Sequence, residues 1–220
     1  MVMAFLMALI ACSDKTAQDT TTKASNSFKI PRNTEGEGVL NDTSGLEVAT
    51  LAGGCFWKMD ACYQQVKGVE RLAVGYGGGT TKNPTYEEVG TQKTGHAESI
   101  QLVFDPKIIS YREILDIFWA IHDPTQFNRE GNDVGNDYRS AIFYHSEAQR
   151  KSAESVRDSL DKANVFRKSI ITEIVPFTNF YKAEEYHQDY YNLNLFDMYC
   201  INVVRPKVKH FEEVFKGKMR

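Results

Sequence analysis

The 220-residue sequence contains only four cysteines, six prolines and two tryptophans. So few cysteines exclude a disulfide-stapled scaffold, and a chain this long buries a core without staples. There is no excess of positive charge: 26 Lys and Arg against 29 Asp and Glu leave a net charge of −3. That excludes nucleic acid as the main partner, because phosphate binding needs a basic surface. No apolar run reaches the roughly 18–20 residues that span a bilayer. No period of repeat-protein length is present, and no Cys-x-x-Cys or histidine cluster has the spacing of a metal site. What remains is ordinary globular usage, 42% hydrophobic and 25% charged, enough for one domain with extensions.

The extensions lie at the N-terminus. Residues 2–11 are ten uncharged residues, Val-Met-Ala-Phe-Leu-Met-Ala-Leu-Ile-Ala, the length of a signal-peptide core and too short to span. They end at Leu9-Ile10-Ala11-Cys12, which resembles the lipobox of bacterial lipoproteins. By that resemblance, 1–11 is a signal peptide and Cys12 the lipidated first residue of the mature chain. A plain secretory signal with Cys12 beside the cut is the alternative. Between 13 and 44 only Ala17, Ala24, Phe28, Ile30, Val39 and Leu40 are apolar, too few to offset the entropy of ordering. Residues 12–44 therefore read as a flexible tether about 30 Å in typical reach. The expected location is the bacterial cell envelope.

The folded part is expected at 45–220. Residues 47–52 read as a strand ending at Gly53-Gly54, 55–65 as a helix, and 69–75 as a second strand. A Gly-rich loop covers 75–96. Over 97–104 the residues alternate, with Ile100, Leu102 and Phe104 on one face and Ser99 and Gln101 on the other. Ile114, Leu115, Phe118 and Ile121 fall at helical spacing, 122–138 reads as a loop, and 140–145 as a strand. A further helix, marked by Ala153, Val156, Leu160 and Ala163, and a strand at 169–175 follow. The order β-α-β-β-α-β predicts an α+β fold, a ferredoxin-like sandwich with an added helix and strand. The chain after about 177 is expected to wrap it as helix plus irregular, flexible tail.

Cys55 follows Gly53-Gly54 at a strand-to-helix junction. The free N–H groups of a first helical turn stabilise a thiolate, so its pKa is expected to fall and its nucleophilicity to rise. The plainer alternative is a buried small hydrophobe. Phe56 and Trp57 point in different directions on a helix: either one packs in the core, or both line a pocket beside Cys55. Glu98 shares the parity of Ile100, Leu102 and Phe104 and so starts the apolar face of its strand. Desolvation there raises a carboxyl pKa and suits it to act as an acid; a strand-end Glu turned to water is the alternative. Cys62 is seven residues beyond Cys55, about 10.5 Å along a helix, so the two cannot pair while the helix persists. It reads as core.

Gly54-Cys55-Phe56-Trp57 resembles the signature of the A-type peptide methionine sulfoxide reductases. Asn83-Pro84-Thr85-Tyr86, Gly95-His96-Ala97-Glu98, His122-Asp123-Pro124, Gly131-Asn132-Asp133 and Tyr138-Arg139-Ser140 are similar to further blocks of that family, in the same order. The resemblance covers roughly 47–205. It implies reduction of the S epimer of methionine sulfoxide, free or in proteins, and so repair of oxidised envelope proteins. Cys55 would attack the sulfoxide sulfur and become a sulfenic acid. Glu98 would protonate the departing oxygen, with Tyr86 and Tyr138 hydrogen-bonded to it. Phe56 and Trp57 would hold the S-methyl group, and Asp133 and His187 the substrate backbone; a turn-forming role for Asp133 is the alternative. The resemblance also places a resolving cysteine at Cys200, which implies a Cys55–Cys200 disulfide reduced by thioredoxin or a thioredoxin-like dithiol, with no bound cofactor and a monomeric chain. A static bridge between the two is the competing reading. Lys58 stands where the family often has a small residue. Its ammonium either favours the Cys55 thiolate or points to solvent. Asp60, where the family often has Glu, reads as structural. Two rivals remain: a cysteine hydrolase using His96 as base, and a non-catalytic binding module.

Overall fold

The computed structural model describes residues 45–220. The signal, lipidation and tether readings at 1–44, Cys12 included, lie outside the described residues.

Strands β1 (Glu47–Gly53), β2 (Val69–Gly77), β3 (Ala97–Phe104) and β6 (Ser140–Tyr144) form the centre of a six-stranded sheet. Between β3 and β6 a separate two-residue hairpin pairs β4 (Arg129–Glu130) with β5 (Asp133–Val134). With β7 (Glu173–Pro176) and β8 (Phe180–Lys182) at the edges, the sheet order is β7-β6-β1-β3-β2-β8. The central four are mutually antiparallel. Their order, with the first strand between the fourth and the third, is that of the split β-α-β arrangement read from the sequence. Only β7 joins in parallel, beside β6.

Helix α1 (Phe56–Tyr63) connects β1 to β2, and α3 (Tyr111–Ile121) connects β3 to β6. Ser110 and Glu113 close a capping box at the start of α3, satisfying donors that would otherwise be orphaned. Helix α4 (Glu147–Lys162) starts on the Ser146 cap. One apolar core holds Leu51, Met59, Leu102, Phe118, Val156 and Phe211 together.

Three local features depart from the sequence reading. The 75–96 stretch contains a short helix, α2 (Tyr86–Gly90), with a Thr85–Glu88 capping box. β3 is buried on both faces: Ser99 and Gln101 are covered, with Gln101 Nε2 donating to Thr50 Oγ1 at 3.1 Å. Third, the chain beyond 177 is more regular than a flexible tail. β8 pairs with β2, and the approach is so close that a Cβ on Gly75 would lie 2.2 Å from the Tyr181 carbonyl oxygen. A short helix α5 (Tyr190–Leu193), a π-helical turn at Cys200–Val204 and helix α6 (Arg205–Val214) follow. Val204, Val208 and Phe211 bury themselves in the main core, which fixes the tail.

Candidate active site

The turn between β1 and α1 sets the site. Gly54 has φ +77°, and a Cβ there would meet the Glu130 side chain at 2.4 Å. Only glycine meets both demands. The turn puts Cys55 at the N-cap of α1, 6% exposed. Glu98, at the start of β3 and 2% exposed, reaches the same turn, and its Oε2 accepts the Phe56 N–H at 3.0 Å.

The ionisation of these two groups is set by burial. Desolvation raises the Glu98 carboxyl to about 8, with Asp137 and Asp133 adding to the rise and the Phe56 N–H and Lys58 opposing it. It therefore holds its proton at neutral pH. Cys55 does not follow the expectation of a lowered pKa. Desolvation and the nearby Glu98 push its thiol up to about 12, outweighing the lowering influence of the Tyr199 side chain and of the Trp57 and Lys58 backbone. The helix N-terminus acts as expected, but burial and a neighbouring carboxyl win.

Tyr86, in the first turn of α2, and Tyr138, in the 3-10 turn Asn136–Tyr138, influence each other's ionisation, and both feel Glu98 and Cys55. Burial raises both phenols, Tyr86 to about 12. Glu184 fixes one side of this group: its carboxylate accepts from Tyr76 Oη at 2.7 Å and from the Tyr86 N–H at 2.9 Å.

Phe56 is fully buried against Tyr76, and Trp57 is half-buried. The Trp57 ring stacks on Tyr190 at 3.7 Å and 8°, and Tyr199 meets it edge-on at 5.8 Å. His187 closes the aromatic group, 5.0 Å from Phe56 and 4.5 Å from Tyr86 between ring centres. Its Nδ1 accepts the Trp57 indole N–H at 3.1 Å. With burial holding the imidazole pKa below its usual value, the ring hydrogen sits on Nε2, a buried donor without a protein partner.

Asp133 is a residue of the β4–β5 hairpin rather than of its turn. Its Oδ2 accepts the Tyr199 hydroxyl at 2.5 Å. Asp133, Tyr199 and Cys55 line one cleft of about 370 Å³ with Lys58, Glu130 and Lys207. Lys58 does not point to solvent. It is 2% exposed, and its ammonium donates to the Gly53 carbonyl at 2.8 Å and Glu130 Oε1 at 3.2 Å. Asp60 is buried and accepts the Asp189 N–H at 2.9 Å, tying α1 to the chain after His187.

Cys62 is wholly buried in the core. Cys200 is also buried rather than mobile, as the first residue of the π-helical turn, with its N–H on Asp197. All three described cysteines are free thiols. His96 is not a base for Cys55: its Nδ1 accepts the Gly79 N–H and its Nε2 faces the Thr81 carbonyl. Among the described residues no group of three His, Cys, Asp or Glu side chains is placed to hold a metal ion.

Tyr199, Tyr190 and Glu184 were not singled out by sequence. The adjacency of Tyr199 to Cys200 was the one available signal.

Comparison with known proteins bears on this geometry. The peptide methionine sulfoxide reductase profile matches residues 47–219. Peptide methionine sulfoxide reductase MsrA of Saccharolobus solfataricus is 53% identical over 175 residues, covering 80% of this chain and 98% of that one. Mxr1 from Saccharomyces cerevisiae in reduced form superposes with a TM-score of 0.69 at 33% identity, over 78% of this chain and 96% of that one. The same yeast protein in complex with Trx2 gives 0.51 at 29%, over 74% and 94%. A family match that spans β1 to the end of the C-terminal helix and takes in every residue of the cleft leaves one assignment: the chain belongs to the peptide methionine sulfoxide reductase family.

Proposed function

We propose that this enzyme, a thiol-dependent methionine sulfoxide reductase, acts on the S epimer, free or in proteins, with Cys55 as nucleophile and Glu98 as acid. One observation carries the assignment of roles: a buried carboxyl that keeps its proton stands on the same turn as a buried cysteine. A sulfoxide oxygen needs a proton as its bond to sulfur breaks, and a neutral carboxylic acid in a dry pocket supplies it. Tyr86 and Tyr138 hydrogen-bond the oxygen, since both hydroxyls belong to the Glu98–Cys55 group. Phe56 and Trp57 pack the S-methyl group. The free Nε2–H of His187 donates to a substrate backbone carbonyl, and Asp133 accepts from a substrate N–H.

The cycle balances. Cys55 thiol takes the oxygen and becomes a sulfenic acid while methionine leaves. The Cys200 thiol then forms a disulfide with Cys55 and expels water. Thioredoxin or a related dithiol reduces that disulfide, in keeping with the yeast relative solved in complex with Trx2. Pairing requires the π-helical turn at Cys200–Val204 to open; single π turns occur often at functional sites. The chain acts as a monomer on oxidised proteins of the bacterial envelope, held there by a lipid on Cys12, a location that rests on residues 2–12 alone.

The primary test is loss of S-epimer methionine sulfoxide with dithiothreitol as reductant; consumption of the R epimer instead would overturn the substrate assignment. Cys200→Ser should still reduce about one equivalent per enzyme while thioredoxin-driven turnover stops. Continued turnover would move the resolving role elsewhere. A mature N-terminus beyond residue 12, by mass spectrometry, would remove the lipid anchor.

A further inference from the structure

We infer that Tyr199 is a catalytic residue of the reductase step, carrying the proton of the Cys55 thiol to Asp133. The inference rests on the reading of Cys55 as nucleophile.

A buried Cys55 retains its proton at neutral pH, and a protonated thiol is a poor nucleophile. Something must take that proton as sulfur attacks. Both nitrogens of His96 are committed elsewhere. His187 offers its lone pair to the Trp57 indole N–H. Glu98 is a proton donor in this step and cannot also be the acceptor.

Tyr199 fills the gap. Its side chain lines the same cleft as Cys55 and Asp133, it and Cys55 each shift the other's ionisation, and its hydroxyl donates its hydrogen to Asp133 Oδ2 at 2.5 Å. With that hydrogen spent on Asp133, the phenol oxygen presents a lone pair to the thiol. The three groups form one line: thiol S–H to phenol oxygen, phenol O–H to carboxylate.

The surroundings keep Asp133 ready to accept. Burial, helped by Glu130 of β4, raises its carboxyl above the usual value and so its affinity for a proton, while the Tyr199 hydroxyl and Lys58 of α1 oppose the rise. Asp137 and Glu98 face the same group with like charge or its potential, and Lys207 of α6 and Asp123 line the open side of the cleft. The residue that departs from the family at position 58 thus places a cation beside the end of the line.

The step conserves atoms and electrons. The S–H bond of Cys55 breaks, its proton passes to Tyr199 oxygen, and the phenol's original proton passes to Asp133. The freed sulfur pair attacks the sulfoxide; the methionine S–O bond breaks and an S–O bond forms on Cys55. Cys55 sulfur is oxidised by two electrons and methionine sulfur reduced by two. The Glu98 proton ends on the sulfenic oxygen, and the proton on Asp133 returns through solvent to Glu98.

The test is single-turnover formation of the Cys55 sulfenic acid, in the full chain, at saturating N-acetylmethionine S-sulfoxide. Tyr199→Phe keeps the edge-on contact with Trp57 and removes only the hydroxyl. It should react about 10²-fold slower than the parent at pH 6. The deficit should shrink about tenfold per pH unit towards pH 8, because unassisted thiol ionisation grows with pH while the parent rate stays flat. Asp133→Asn should show the same rising profile. A Tyr199→Phe rate within threefold of the parent at pH 6, or an equal deficit at pH 6 and pH 8, would overturn the relay and leave the phenol a packing group. A parent profile in Asp133→Asn would overturn its terminus. A parent that forms no sulfenic acid at Cys55 overturns the function itself and the relay with it.

Discussion

Two carboxyls flank the Gly54-Cys55 turn, and they are in opposite states. Glu98 is 2% exposed and Glu130 9% exposed, so both have lost most of their water. Burial pushes both upwards. At Glu98 it outweighs the opposing Phe56 N–H and Lys58, and the carboxyl is pushed up to about 8. At Glu130 the cations Lys58 and Lys207, the field of His122 and the Asp123 N–H outweigh burial and hold the carboxyl below its usual range. Burial therefore does not decide whether a carboxyl is an acid or an anion; its partners do. The turn carries one of each, a neutral carboxyl that accepts the Phe56 N–H and an anion that packs on Gly54 and holds Lys58 in place.

The largest effect should come from removing the acid. Glu98→Gln keeps the shape and one hydrogen-bonding face but cannot donate a proton to a departing oxygen with comparable ease. Single-turnover reduction should slow about 10²–10⁴-fold, read by rapid quench, with substrate affinity little changed. In the parent, the same rate should fall about tenfold per pH unit above about 8, as Glu98 ionises. The Gln variant should lose that alkaline limb. A near-parent rate with an unchanged profile would return Glu98 to a strand-end residue.

Removing the cation from the other carboxyl should cost stability instead. The Lys58–Glu130 pair has side chains only 3% and 9% exposed. Lys58→Met preserves volume but leaves Glu130 with the Asp123 N–H and one paired cation, Lys207, at 3.6 Å and 45% exposed. Breaking a buried pair by deleting one partner typically costs about 3–5 kcal/mol. Urea denaturation at pH 7 should show a loss of that order, and an unchanged midpoint would mean that the pair contributes nothing net.

How far the sequence revealed this contrast is instructive. The turn at Gly53-Gly54-Cys55 and the sheet order were legible, since glycine placement and hydrophobic period are local. The burial of Glu98 was expected from parity, but parity does not decide it, because β3 is covered on both faces. The state of Cys55 was not legible. Its helix N-terminus is a local feature, but its burial and its distance from Glu98 are tertiary ones, and these dominate. For Lys58 the sequence left two readings open, a cation favouring the thiolate or a solvent-facing side chain, because its partner lies 72 residues away. The Thr85–Glu88 capping box was a readable helix start within what looked like loop. Strand β8, three residues long, is too short to show a period, and Tyr199 is defined only by what it touches.

The smallest effect over any one pH unit, and the sharpest form of the comparison, is the pH dependence of folding. Glu98 has a folded pKa near 8, above the ordinary 4.5. Between those values the native state binds a proton that the unfolded state has released, so stability falls as pH rises, by at most about 1.4 kcal/mol per pH unit. Glu98→Gln removes the ionisable group and should flatten that decline, leaving the variant more stable than the parent towards pH 8. Glu130 has the opposite sign. Its folded pKa lies below the unfolded value, so its contribution is complete above about 4.5 and fades as pH falls through the folded pKa. Glu130→Gln should therefore lose stability at neutral pH and approach the parent only in acid. Urea midpoints for the parent and both variants at pH 4, 6 and 8 measure this directly. Opposite slopes relative to the parent would confirm that two carboxyls buried beside one turn are held in opposite protonation states by their neighbours. Parallel slopes would show that burial alone sets both.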